Sequence, residues 1–176
     1  TRVGRAVQDL DIMLEQPCAT LDDCARVKSA THLPMKMDEL AGYSAIGHNR
    51  YSTTGQSEFR NIQPFLTELA FGEFAIAHNG NLTNAERVRR TLVDTGSLFQ
   101  STTDTETIIH LVARSRRSKP EERIKEASLQ IEGAYALVAL TKDMLIGVRD
   151  PLGVRPLILG QLNQSYILTS ETCALD

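Results

Sequence analysis

Apolar and polar positions follow two different rhythms along this chain, and the change falls near residue 43. Before it, Ala6, Leu10, Met13 and Leu14 form a partial helical stripe that Pro17 ends. Thr20 and Asp23 have the spacing that caps a second short helix through Cys24 and Val27. His32-Leu33-Pro34 reads as a break. Residues 1–37 therefore predict a weakly helical or partly ordered leader without a β-rich run.

After residue 43 the pattern turns to strands, then helices, then strands again. Ser44–His48 and Glu73–His78 are strand candidates, and Asn79-Gly80 reads as a turn, because both residue types tolerate positive φ. Thr83-Asn84-Ala85-Glu86 has the capping-box spacing and opens a helix with Val88, Leu92 and Val93 on one face, stopped at Gly96. Thr103-Asp104-Thr105-Glu106 repeats that spacing before Ile108, Ile109, Leu111 and Val112. Pro120 begins a third helix carrying Ile124, Ala127, Leu129 and Ile131, with Gly133 as its end. Ala134–Leu140 is almost continuously apolar, as a strand buried on both faces is. Met144–Arg149, the turn Asp150–Gly153, Pro156–Gly160 and Tyr166–Ser170 complete a meander. The sum is an α+β domain with sheets covered by helices.

Bulk composition narrows the function classes. The chain has 176 residues, 41% of them hydrophobic and 23% charged, with a formal net charge of −3, which suits a globular domain. The one dense basic run, Arg114–Lys119, reads as a solvated helix end, and 5% aromatics is too few for a nucleic-acid face. Cys18, Cys24 and Cys173 match no zinc or redox spacing, so reduced thiols of a cytoplasmic protein are expected. No metal site is expected from His48, His78 or His110, which read as structural histidines. No segment has the apolar length of a membrane span.

Three polar stretches end apolar segments and offer chemistry together. Arg50 has a fork suited to a carboxylate, with Thr53 and Thr54 beside it. Asn79-Gly80 offers a carboxamide N–H and a backbone N–H, the donor pair of an oxyanion hole. Asp104, in a helix first turn, can accept a substrate ammonium or simply complement the helix dipole. Taken singly, an ion pair, a turn and the dipole explain these residues better. Taken together, they suit a small zwitterion whose side chain develops an oxyanion.

The stretches GHNRYSTTG at 47–55, NIQPF at 61–65, AHNGNLTN at 77–84, STTDTE at 101–106, GAYALVAL at 133–140, GVRDPLGVRPL at 147–157 and TSETCALD at 169–176 resemble the class II glutamine amidotransferases, which are N-terminal-nucleophile hydrolases. The RDPLGVRPL stretch is similar to the branch that serves purine synthesis. The resemblance covers residues 38–176 and implies a four-layer α/β/β/α sandwich, incomplete at both ends, behind the atypical leader 1–37. It also implies roles. Arg50 would clamp the α-carboxylate of glutamine and Asp104 its α-amino group. Asn79 and Gly80 would donate to the oxyanion, Thr53 would line the pocket, and Tyr51 would belong to a closing loop. Ammonia would pass to phosphoribosyl pyrophosphate on a second domain missing here. No cofactor is expected in this part, Mg only in the missing domain, and the resemblance leaves an iron–sulfur cluster open. The parent enzyme would be a homo-oligomer.

The family nucleophile is an N-terminal cysteine, whereas this sequence begins Thr1-Arg2. The chain as written is therefore expected to be unstable or inactive as a glutaminase. The alternatives are a glutamine-binding module without turnover, or another class II amidotransferase with a sugar or aspartate-derived acceptor.

Overall fold

The computed structural model describes residues 17–18, 44–48, 59–162 and 165–175. Strand β1 (Pro17–Cys18) pairs antiparallel with β2 (Ile46–Gly47). Strands β3 (Phe65–Leu69), β4 (Gly72–Leu82), β5 (Gly133–Thr141) and β6 (Leu145–Arg149) form an antiparallel sheet in that order. Helices α1 (Ala85–Asp94), α2 (Asp104–Arg114) and α3 (Pro120–Ser128) lie between β4 and β5 in sequence. Strands β7 (Ile158–Leu162) and β8 (Ser165–Thr169) form a hairpin.

β4 and β5 are apolar because the sheet is covered on both faces. Phe74, Ile76 and Leu82 of β4 join Tyr135, Leu137 and Ala139 of β5 in one core with Val88, Leu92, Ile108, Leu111, Val112 and Ile124 of the helices. The intervening residues, Ala75 and Leu140, face the other way and pack with Ile46 of β2. Each fully buried side chain such as Phe74 or Ile76 contributes roughly 1.5–3 kcal/mol. On that second face Gly147 of β6 leaves room for Leu168 of β8 and for Leu157, since a Cβ there would meet Leu168 at 2.8 Å. Helices thus cover one face of the central sheet and further strands the other. This is the α+β layering expected of the sequence.

Several local expectations are corrected. The closing strands are not one meander: β7 and β8 form a separate two-stranded sheet. Most of the leader lies outside the described residues, but Pro17–Cys18 is a paired strand, where the helical stripe implied only a stop. Neither capping box forms. At α1 the N-cap is Asn84, which makes no cap; its carboxamide instead bridges Gln130 O and Glu132 N at 3.0 Å each, while Glu86 pairs with Arg90. At α2 Thr103 caps nothing. Glu106 reaches past it to accept the N–H groups of Gln100 and Ser101 and the Ser101 hydroxyl. Val93 is half-exposed rather than inward, Leu129 is exposed beyond the end of α3, and Gly133 opens β5 instead of closing a helix. Gly96 does end α1 with φ +93, and Pro120 does open α3.

Candidate active site at the open edge of a strand

Among the described residues the longest strand, β4, is paired on both sides for only part of its length. β3 runs beside it from Gly72 to Ile76, whereas β5 continues to Leu82. From His78 onward one edge of β4 therefore has no backbone ladder among the described residues, and its groups find other partners. In an antiparallel strand the N–H groups alternate between edges. Thr83 N–H bonds to Glu132 O on the β5 side, so those of Leu82, Gly80 and His78 point to the open edge. Two of these have partners: His78 N–H donates to Gln63 Oε1 at 2.7 Å, and Leu82 N–H donates to Asp104 Oδ2 at 2.9 Å. Gly80 N–H lies between them on the same edge. Two residues of strand separate Gly80 N–H from Leu82 N–H, a span of about 7 Å that a short polar amino acid can bridge.

Asn79-Gly80 is thus not a turn. Gly80 lies within β4 at φ +148, and a Cβ on it would sit 2.1 Å from Ala134 O. The glycine serves close approach of two backbones rather than chain reversal. Asn79 projects to the opposite face of the sheet from His78, the face on which β2 lies, and is half-buried.

Asp104 is the first residue of α2, where the helix dipole favours a carboxylate. Burial alone would raise its pKa. The His78 ring beside it and the Leu82 N–H outweigh that, and its pKa is lowered from 3.8. It is held ionised, and its side chain is 21% exposed. The loop leading to it is clamped: Asn61 Nδ2 donates to Thr102 Oγ1 at 2.9 Å, and Thr102 N–H donates to Asn61 Oδ1 at 3.1 Å. His48, at the end of β2, donates from Nε2 to His78 O at 3.2 Å, which fixes that chain segment beside the same edge.

The Gly80 N–H and Asp104 are thus brought to one sheet edge, whereas the Asn79 side chain projects to the face of the sheet on which β2 lies. Arg50, Tyr51 and Thr53 lie outside the described residues. Sequence reasoning missed Gln63 and the edge position of His78. The available signal was a histidine and an Asn-Gly pair at the end of an apolar strand. Chemically, the arrangement offers an ionised carboxylate for a cation and an N–H donor for developing negative charge. Among the described residues no group of three or more His, Cys, Asp or Glu side chains could hold a metal, and no helix is long and apolar enough to cross a membrane.

Comparison with known proteins identifies the family. The glutamine amidotransferase domain family matches residues 48–176. An amidophosphoribosyltransferase of Rhizobium etli is 50% identical over 143 residues, covering 81% of this chain and 29% of that protein. A chloroplastic amidophosphoribosyltransferase of Glycine max is 49% identical, covering 80% of this chain and 25% of that protein. The glutamine phosphoribosylpyrophosphate amidotransferase from B. subtilis, solved with ADP and GMP, superposes with a TM-score of 0.72 at 38% identity, over 79% of this chain and 30% of that one. The chain spans under a third of the length of these relatives.

Proposed function

Because this chain belongs to the class II glutamine amidotransferase family, we propose that the open edge of β4 binds glutamine and that its side-chain amide is hydrolysed there. Asp104 receives the α-ammonium group and Arg50 the α-carboxylate. The Asn79 carboxamide and the Gly80 N–H donate to the oxygen of the tetrahedral intermediate, where negative charge develops as the amide carbonyl is attacked. Thr53 lines the pocket and Tyr51 belongs to the loop that closes over it. The observation that carries this reading is the shared edge: the Gly80 N–H points to the side on which Asp104 is anchored through Leu82.

The released ammonia is proposed to aminate phosphoribosyl pyrophosphate on a second domain, as the names of the relatives suggest for those proteins. The RDPLGVRPL stretch supports that branch over sugar-aminating or asparagine-forming ones. The test has two arms. Calorimetry should show L-glutamine binding to this chain. Ammonia release should appear when the chain is joined to a cysteine-led first strand, and should be absent or weak without it. Failure to bind L-glutamine would overturn the reading.

A further inference from the structure

We propose that His78 is a positioning residue for the amino-acid site: its ring holds the Asp104 carboxylate in the orientation that meets an α-ammonium group. This rests on the reading of Asp104 given above. His78 is 3% exposed, and both its backbone polar groups are engaged, the N–H by Gln63 Oε1 and the carbonyl by His48 Nε2. The root of the ring is therefore fixed. Its Nδ1 lies 3.3 Å from Asp104 Oδ1 and 3.3 Å from Thr105 Oγ1. The contact with Thr105 has hydrogen-bond alignment, while that with Asp104 is a close polar approach.

The surroundings select the tautomer. Nε2 is buried without a partner among the described residues. A proton on Nε2 would leave a buried N–H unpaired and turn the Nδ1 lone pair toward a carboxylate oxygen. A proton on Nδ1 faces both acceptors and leaves only a lone pair idle. Unpaired buried N–H groups are the rarer and costlier defect. The structure thus assigns Nδ1–H. Oδ1 is then held by the ring and Oδ2 by Leu82 N–H at 2.9 Å, so the carboxylate plane is tethered at both ends. An ionised carboxylate has about four acceptor sites, so lone pairs remain for a ligand.

Calorimetric titration with L-glutamine and with glutaramate, which is glutamine without its α-amino group, tests the inference. The wild-type chain should prefer L-glutamine. His78→Leu should weaken L-glutamine about tenfold and leave glutaramate unchanged, and His78→Asn, which keeps an N–H near the Nδ1 position, should restore most of the loss. Equal losses for both ligands, or no loss, would overturn it. A wild-type chain that binds glutaramate as tightly as L-glutamine would instead overturn the role of Asp104 itself. If His78→Leu does not fold, 15N spectroscopy of the wild-type imidazole decides: Nδ1–H is expected, and an Nε2–H tautomer refutes the proposal.

Discussion

A Cβ on Gly80 would lie 2.1 Å from the carbonyl oxygen of Ala134 on the adjacent strand, a separation that real Cβ atoms essentially never show. Gly133 stands in the same relation to Asn81 O, at 2.3 Å. The two glycines let β4 and β5 pass closely where β4 carries the proposed oxyanion donors. Gly80→Ala must push backbone apart and should destabilise by about 3 kcal/mol. Gly72, with φ +107 and open space where a methyl group would sit, is the control. Gly72→Ala should cost only about 1 kcal/mol of conformational strain. Denaturant midpoints of the two variants check this, and equal losses would refute it.

Asp104→Asn removes the charge while leaving an oxygen able to accept Leu82 N–H. Affinity for L-glutamine should fall on the order of a hundredfold, well beyond the modest drop in melting temperature that loss of the ionised carboxylate brings. Calorimetry alongside a thermal melt separates the two effects.

Asp150 organises the loop between β6 and β7. Its Oδ1 accepts Val154 N–H at 3.0 Å, and its Oδ2 accepts Arg155 N–H at 3.0 Å and Tyr135 N–H at 3.3 Å. Asp150→Ala leaves these donors without an acceptor and should lower the melting temperature by several degrees, roughly 5 °C. Asp143→Ala, at an exposed position, should shift it little.

Stability should fall with acid in a defined window. Asp150 has its pKa lowered from 3.8, chiefly by the Arg155 N–H, and Asp104 is lowered from the same value because its His78 and Leu82 contacts outweigh burial. A depressed folded-state pKa gives stability that is fully present well above the unfolded value. That stability is lost as pH falls from about 4 through the lower folded-state values. A urea midpoint that declines below pH 4 in the wild type, and less steeply in Asp150→Ala, is the expected result.

The sequence announces what depends on period and punctuation. Ala134–Leu140 reads as a strand buried on both faces, and it is one; Gly96 and Pro120 mark helix ends by their φ preferences. It misleads where tertiary partners compete for a local group. Thr83–Glu86 and Thr103–Glu106 have capping-box spacing, yet Glu86 pairs with Arg90 and Glu106 is drawn to the N–H groups of Gln100 and Ser101. Asn79-Gly80 has turn chemistry, but pairing with Ala136 and Tyr135 keeps it extended. Asp104 is legible as a helix-start carboxylate. Its attachment to Leu82 N–H is not, because that depends on where β3 stops pairing.

The central claim is that one free amino acid spans the edge of β4 from Gly80 to Asp104. Backbone amide NMR during titration with L-glutamine addresses it most directly. The largest shifts should fall on the N–H signals of Gly80 and Leu82 and on the Asn79 carboxamide. Shifts confined to other parts of the chain, with these three unmoved at saturating ligand, would contradict the account.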